Sequence, residues 1–492
     1  MKYPLKTITL LIALLTGLSP LTACASADTD AETKESTADT TPAEPEEPEF
    51  SDNLPDVTYD GYEFRLFIRE SSQGGRGASL YSEEMTGDLL NDIVYQRNMA
   101  VEERFDVSFL CIHSADAEYG TDCTATIIAG DDAYDLLAPH GRFAFDIALQ
   151  GLTYEWGNLP YVDLNREWWD ANINKSFTIH DKLYTTTGDI CYYSVGSAAC
   201  LFFNKSIFDE YKIAYPYDAV IEGRWTWDEW EKIIEETTAD LDGDGVMNWE
   251  KDRLGYVTSM WGGPINMQFA GGISIITITD GIPEITFMNE RTVEVFQRYF
   301  KQITPGVNID IPHKDAFMKG NVTFLNANIN SAVTYREMED DFGIIPFPKY
   351  SEEMEYRTNV DGGANLFLVP ITVTDLERNS VIIEGMASES CRNTIPQYYE
   401  VVLKTKHVRD PESTQVIDII KNSRVFDFGY YNMSIGLDSI PVNLYQASGN
   451  ADNIASFYKS KEKQAVAELD ALIEKYNKIA ELQAEVLEEN ER

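Results

Sequence analysis

Beyond residue 56, the apolar positions of the chain follow two spacings, one typical of strands and one of helices. Residues 62–69 (Tyr-Glu-Phe-Arg-Leu-Phe-Ile-Arg) alternate and predict a first strand. Apolar residues then recur every three or four positions over 89–105, which predicts a helix. Residues 107–111 and 134–139 predict two further strands. Strands that alternate with helices predict an α/β fold.

Helix starts are also visible later in the chain. Thr226 with Glu229, and Thr374 with Glu377, have the Thr-x-x-Glu spacing of a capping box, in which a hydroxyl and a carboxylate satisfy the first free amides. The chain ends in a predicted amphipathic helix. Its apolar face is predicted to carry Val466, Leu469, Ile473, Tyr476 and Ala480.

The first 23 residues predict an export signal. Lys2 and Lys6 precede an apolar stretch from Ile8 to Leu18, which is shorter than the roughly 20 residues of a membrane-spanning helix. The signal ends in Leu21-Thr22-Ala23-Cys24, which resembles the lipobox of bacterial lipoproteins. That resemblance implies cleavage before Cys24, acylation of its sulfur (the palmitate of a lipoprotein), and a Gram-positive-like location on the extracellular face of the cell membrane. Plain secretory cleavage is the alternative.

Residues 24–55 predict a disordered acidic tether behind the acylated cysteine. The segment is rich in carboxylates, and no aromatic residue occurs in it before Phe50. Such a composition buries too little apolar surface to offset the entropy of ordering. We therefore expect the folded part to begin near Asp56.

Composition restricts the function of the folded part. The chain has 492 residues, enough for two or three domains. Asp and Glu total 82 against 39 Lys and Arg, a formal charge of −43. This imbalance argues against nucleic-acid binding, which needs a basic surface, and against attachment to anionic lipids through basic residues.

Five stretches carry a family resemblance. They are residues 87–98, 201–205 (Leu-Phe-Phe-Asn-Lys), 224–230 (Arg-Trp-Thr-Trp-Asp-Glu-Trp), 341–350 and 427–431. In this order the chain resembles the extracellular solute-binding lipoproteins of ABC importers, of the carbohydrate-binding (family 1) type. The resemblance implies a monomer that captures a small solute, a sugar or an oligosaccharide, and delivers it to the permease subunits of an ABC transporter. It implies no catalysis and no required cofactor.

The same resemblance implies the fold. We expect a two-lobed periplasmic-binding-protein-like fold (type II), with mixed sheets wrapped by helices and a hinge and cleft between the lobes. The expected parts are 1–23 signal peptide, 24–55 tether, 56–188 plus 366–420 lobe 1, and 189–365 plus 421–492 lobe 2. The expected crossings between the lobes are residues 187–190 and 364–370, where Gly188, Gly362 and Gly363 could absorb the hinge motion.

A sugar-binding cleft needs aromatic platforms for the C–H faces of the ring and planar polar groups for its hydroxyls. Position by position, the resemblance implies the following ligand-binding residues: His140, Arg142, Asp189, Tyr192, Trp261, Asn330, Tyr430 and Tyr431. Most aromatic residues of any fold belong to its core, and Arg142 could equally form a surface salt bridge. Trp168 and Trp169 are predicted to be packing residues.

An acidic loop predicts a structural Ca²⁺ site. Residues 240–252 match the calcium loop of EF-hands at several positions but place Lys251 where a bidentate acid is expected. A one-residue bulge would bring in Asp252 instead. The expected ligands are Asp240, Asp242, Asp244, Val246, Asn248 and Asp252. The alternative is an acidic turn that binds no metal.

The pairing of the remaining cysteines stays open. Besides Cys24 there are Cys111, Cys123, Cys191, Cys200 and Cys391, which form no Cys-x-x-Cys motif. The pairs 191/200 and 111/123 could form disulfides, or the thiols could be free.

A surface glycoside hydrolase with two carboxylates is the main alternative function. A sugar sensor or adhesin with the same fold is another.

Overall fold

The computed structural model describes residues 51–70, 77, 79–115, 117–304, 306–403, 412–448 and 451–490. The strands are β1 (Tyr62–Glu70), β2 (Val107–Ala115), β3 (Leu136–Ala138), β4 (Ala199–Asn204), β5 (Leu254–Val257), β6 (Ile276–Thr279), β7 (Ile282–Ile285), β8 (Val322–Asn328), β9 (Phe342–Ile345), β10 (Thr358–Asn359) and β11 (Arg424–Val425). Within the described residues they form two larger sheets, of three and four strands, and two sheets of two strands each, β6-β7 and β10-β11. The predicted signal peptide, Cys24 and most of the predicted tether lie outside these residues. The expected lobe boundaries remain predictions.

Helices connect the strands and pack against the two larger sheets. In the first half they are α1 (Leu89–Phe105), α2 (Tyr119–Ile128), α3 (Gly141–Ala148), α4 (Ala171–Phe177), α5 (Tyr193–Gly196), α6 (Lys205–Tyr211), α7 (Tyr217–Ile221), α8 (Trp227–Thr237) and α9 (Gly262–Ala270). In the second half they are α10 (Glu290–Lys301), α11 (His313–Met318), α12 (Ala332–Tyr335), α13 (Leu376–Glu389), α14 (Ile395–Leu403), α15 (Ser413–Asn422), α16 (Phe428–Tyr431), α17 (Ile440–Ser448) and α18 (Ile454–Asn490). Within the described ranges, no helix combines the length and apolarity needed to cross a membrane.

The first sheet has the order β2-β1-β3, and all of its strands are parallel. Its first two strands and α1 lie where the apolar spacing predicts them. The Asp88 carboxylate caps α1 by accepting from the amides of Leu90 and Asn91, at 3.0 and 3.2 Å. Asp106 ends the helix with a positive φ of 49°, a conformation that Asp adopts more readily than most residues.

The second sheet is mixed, with the order β5-β8-β4-β9. Strand β4 is antiparallel to both neighbours, whereas β5 and β8 are parallel. Every residue of β4 is buried, because the strand is internal and covered on both faces. An uninterrupted apolar run such as Ala-Cys-Leu-Phe-Phe is typical of that position.

The two expected crossing segments lie side by side. The amide of Phe367 donates to the carbonyl of Thr186 at 2.8 Å, and the Thr187 hydroxyl donates to the carbonyl of Asn365 at 3.1 Å. Leu137 of β3 forms an antiparallel bridge to Leu368. The second crossing therefore lies between β3 and the first crossing.

Helix α18 packs at two distant places on the fold. Near its start, Tyr458 stacks on Phe287 with ring centroids 5.9 Å apart. Further along, Tyr476 contacts Tyr184 and Phe428 at 5.3 and 6.1 Å. The predicted apolar face is correct for Leu469 and Tyr476, which are buried, but wrong for Val466, which is exposed.

The two capping-box predictions locate their helices, and Thr226 is the N-cap residue of α8, but neither threonine makes the predicted capping bond. Thr226 precedes α8 without a side-chain capping bond. Helix α13 is capped by Asp375, whose carboxylate accepts from the amide of Arg378 at 3.0 Å, and not by Thr374. A carboxylate one residue closer to the helix replaces the threonine as acceptor. The five cysteines other than Cys24 are free thiols.

Candidate functional site

A cavity of about 340 Å³ opens where strands from both sheets end. His140 follows β3, Trp261 follows β5, and Asn328 is the last residue of β8. Ligands of α/β folds bind beyond the carboxyl ends of strands, because the loops there converge. The remaining wall consists of Arg142 on α3, Ile265 and Asn266 on α9, Asn359 on β10, Tyr430 on α16, and Gly262, Asp361, Gly362 and Gly363.

Four of the eight predicted ligand residues line this cavity, namely His140, Arg142, Trp261 and Tyr430. Trp261 is the most accessible of them, with 59% of its surface exposed. A large exposed aromatic residue at a cavity wall has the form of a stacking platform, since burial in a core does not account for it.

Arg142 is fixed between two partners. Its guanidinium forms an ion pair with Asp438 and lies over the ring of Tyr430, 4.9 Å from the centroid. Burial raises the pKa of Asp438, and the charge of Arg142 acts in the opposite direction. A β-carbon on Gly362 would lie 2.4 Å from Arg142 Cδ, so the close contact between these residues requires glycine. Arg142 therefore lines the cavity and is paired with Asp438 at the same time, and its contact with a ligand stays a prediction.

Tyr430 is held from two sides. Its hydroxyl accepts from the amide of Gly362 at 3.2 Å, and burial raises its pKa to about 12. Behind it, the buried Asp427 carboxylate accepts from the amides of Ile275, Gly429 and Tyr430, at 2.7, 2.9 and 3.1 Å. Burial raises the pKa of Asp427 to about 6, and these amides act in the opposite direction.

The other four predicted ligand residues lie elsewhere. Asp189 is buried 3.8 Å from Lys421, and Tyr192 stacks on Tyr398 at 4.7 Å. Tyr431 is fully buried and packs on Phe177, pointing away from the cavity that its neighbour Tyr430 lines. The β-carbon of Asn330 lies near Gly196. None of these four belongs to the described wall of the cavity.

The side-chain amides and the carboxylate of the wall are not predicted by the sequence interpretation. Asn266, Asn328, Asn359 and Asp361 line the cavity, together with Gly362 and Gly363. Within the motif Asn-Ile-Asn at 328–330, the ligand prediction falls on the second asparagine, whereas the first one ends β8 and lines the cavity. The prediction for the pair Gly362-Gly363 is a hinge only. Asn266 and Asn359 each lie three residues from a Gly-Gly pair, and this spacing is the signal that could have found part of the wall.

The acidic loop brings three of the six predicted metal ligands together. Carboxylate oxygens of Asp240, Asp242 and Asp244 lie within 4.8 Å of one another, on the surface. Asp252 is not part of this group; its two oxygens accept from the amides of Leu241 and Asn248, at 2.9 and 2.7 Å. Lys251 Nζ donates to Asp242 Oδ2 at 2.9 Å. Val246 is exposed, and Asn248 Oδ1 accepts from the amide of Glu250 at 2.8 Å.

Comparison with known proteins finds one matching family model. Residues 114–351 match a family model described as bacterial extracellular solute-binding protein. The predicted resemblance to these solute-binding proteins is therefore confirmed. The proteins of this family are extracellular. A comparison with curated proteins finds no match to this chain.

Solved structures confirm the predicted two-lobed fold of the maltose-binding-protein type. A sugar transporter of Rhizobium etli in an open conformation is 13% identical, with a TM-score of 0.55 over 84% of this chain and 99% of that chain. A solute-binding protein of Thermotoga lettingae bound with α-D-tagatose is 12% identical, with a TM-score of 0.52 over 84% and 100%. An ABC substrate-binding protein of Listeria monocytogenes in complex with cycloalternan is 15% identical, with a TM-score of 0.50 over 85% and 100%.

Proposed function

We propose that this chain is a lipid-anchored extracellular solute-binding protein that captures a carbohydrate in the described cavity and delivers it to an ABC permease. The observation that carries the proposal is the composition of the cavity wall. It combines an exposed tryptophan with amides, an arginine and a carboxylate, the groups that suit the apolar faces and the hydroxyl rim of a sugar. The relatives from Thermotoga and Listeria, whose structures hold tagatose and cycloalternan, support the same ligand class.

Binding rather than hydrolysis is favoured by the acidic groups near the cavity. Within the described wall, Asp361 is the one carboxylate, whereas most glycosidases use a pair that flanks the scissile bond. Asp438 lies next to the site but is paired with Arg142. We therefore propose no catalytic residue.

The test of this proposal is a thermal-shift screen of the 51–492 fragment against sugars and oligosaccharides. A ligand at a hundred times its Kd stabilises the folded state by about 2.7 kcal/mol. We expect stabilisation by one class of sugar, without turnover, and an affinity about 10-fold lower in Trp261→Ala, since the variant removes the stacking platform. Ile282→Ala is the control, because Ile282 is another exposed apolar residue that is not part of the described cavity wall. Product formation would instead favour the hydrolase.

The lipid anchor is a proposal based on the lipobox. Cys24→Ala removes the sulfur that would be acylated, so we expect the variant to move from the membrane fraction to the medium. Membrane retention of the variant would contradict the anchor. Loss of sugar uptake on gene deletion, with adhesion unchanged, would favour transport over a sensor or adhesin role.

We also propose that the acidic loop binds Ca²⁺ as a structural ion. Three carboxylates at alternate positions fit a hard cation. In the structure, however, the Lys251 ammonium forms ion pairs with Asp242 and Asp244, at 2.9 and 3.8 Å. We expect Lys251→Glu to bind calcium more tightly than the native chain. The variant removes the ammonium that competes with the ion, and it supplies a carboxylate where the calcium loop of EF-hands has its bidentate acid. Lys251→Gln removes only the charge and is the matched control. Calorimetric titrations that show no calcium binding to any of the three would contradict the site.

A further inference from the structure

A row of side-chain amides leads from the cavity wall into the protein. Asn359 Nδ2 donates to Asn266 Oδ1 at 2.9 Å, and Asn266 Nδ2 donates to Asn326 Oδ1 at 3.0 Å. Asn326 Nδ2 then donates to the hydroxyl of Thr258 at 2.8 Å. All four side chains are buried, and the first two line the cavity.

The direction of this row is set at its inner end. The Thr258 hydroxyl donates its hydrogen to the carbonyl of Ser259 at 3.3 Å, so Thr258 Oγ1 serves the row as an acceptor. Asn326 must then present its NH₂ group to Thr258 and its oxygen to Asn266. By the same argument, Asn266 presents its NH₂ group to Asn326 and its oxygen to Asn359. Each amide thus fixes the orientation of the next.

At the cavity end of the row, the side-chain oxygen of Asn359 is an acceptor that is not yet used. Asn359 uses one N–H on Asn266. Burial raises the pKa of Tyr430, and a hydrogen bond between Asn359 and the Tyr430 hydroxyl acts in the opposite direction. Asn359 Oδ1 is buried and has no hydrogen-bond partner among the described residues. Buried acceptors without a partner are uncommon, because they lose their hydration without compensation.

We propose that Asn359 is a specificity-determining residue, whose Oδ1 accepts a hydrogen bond from one ligand hydroxyl. Thr258, Asn326 and Asn266 are positioning residues, which hold the Asn359 amide in the accepting orientation. This inference rests on the proposed function and narrows its ligand class. An acceptor at this place favours a neutral sugar with a free hydroxyl and disfavours an ionised uronate or phosphate, which would present a second acceptor.

The first experiment pairs a ligand change with a protein change. The probes are maltotetraose, methyl α-D-mannoside, α-D-tagatose and D-glucuronate, with the monodeoxy analogues of each sugar that binds. In the native protein we expect one deoxy position to weaken binding by about 10- to 100-fold, since it leaves Asn359 Oδ1 unpaired. In Asn359→Ala the parent sugar should bind about as weakly, and the same deoxy analogue should cause no further loss.

The second experiment tests the row without changing Asn359. Thr258→Val removes the inner acceptor and should reduce the discrimination between the parent sugar and that deoxy analogue by about 10-fold. Thr258→Ser keeps the hydroxyl and should retain the discrimination. A merely structural role of Thr258 would lower the Tm of the valine variant without changing this ratio.

The outcomes separate the inference from the proposed function. If sugars bind but Asn359→Ala keeps the full deoxy discrimination of the native protein, or if D-glucuronate binds as tightly as the neutral sugars, the inference is wrong and the proposed function stands. If none of the probes and no sugar of the screen binds the native protein, the proposed function fails, and the inference fails with it.

Discussion

Replacing Gly188 with alanine is expected to destabilise the fold by about 3 kcal/mol, which is large for the addition of one methyl group. A β-carbon at Gly188 would lie 2.3 Å from the carbonyl oxygen of Trp168 and 3.0 Å from the ring of Trp169. The Trp168 carbonyl cannot move away freely, because it accepts from the amide of Asp189 at 2.8 Å. Denaturant unfolding of the 51–492 fragment measures the change.

Gly120→Ala is the matched control for this substitution. Gly120 is in the first turn of α2, has no positive φ, and a β-carbon there would meet no atom within 4 Å. Alanine should therefore be neutral or stabilise by up to about 1 kcal/mol. Equal stabilities of the two variants would show that the chain near Gly188 tolerates a side chain, and the close packing of this crossing would be refuted.

Replacing Glu384 with glutamine is expected to reduce the dependence of stability on pH. The Glu384 side chain is buried, at 1% exposure. Its two carboxylate oxygens accept from the indole N–H groups of Trp168 and Trp169, at 2.9 and 2.8 Å. Burial raises the pKa of Glu384 to about 7, and these indoles act in the opposite direction.

The sign of the pH effect follows from this raised pKa. The folded state binds the proton more tightly than the unfolded state, so the contribution of Glu384 is fully present below the ordinary glutamate pKa of 4.5 and is lost as the pH rises through about 7. Between pH 5 and pH 8 the native protein should lose about 2.5 kcal/mol that Glu384→Gln does not lose. The raised pKa of Asp427 acts in the same direction in both proteins and cancels in the comparison.

Urea unfolding at pH 5 and pH 8 measures this difference. Glu377→Gln, on the exposed first turn of α13, controls for the loss of one negative charge from the same helix. If the native protein and Glu384→Gln lost equal stability between the two pH values, Glu384 would be ionised in the folded state across the whole range.

The fold could be predicted from the sequence because its main elements have regular spacing. Strand β1, helix α1 and strand β2 lie where alternating and helical periods indicate them, and the order of five short stretches indicates the family. Local signals are less reliable where two residues compete for one role. Asp375 rather than Thr374 caps α13, because its carboxylate is one residue closer to the helix.

The site is harder to predict, because it depends on which way a side chain points. Tyr430 and Tyr431 are adjacent, yet the first lines the cavity and the second is fully buried. Trp168 and Trp169 are buried packing residues as predicted, but their indoles converge on one carboxylate, which no spacing rule reveals. The row of amides joins residues that are up to 101 positions apart in sequence, and neither period nor motif connects them.

The two packing places of α18 have a consequence for the order of events in synthesis. Phe287, Tyr184 and Phe428 receive their aromatic partners from Tyr458 and Tyr476, so these surfaces stay uncovered until both tyrosines have been synthesised. A nascent chain therefore lacks part of its final packing while it is still being made.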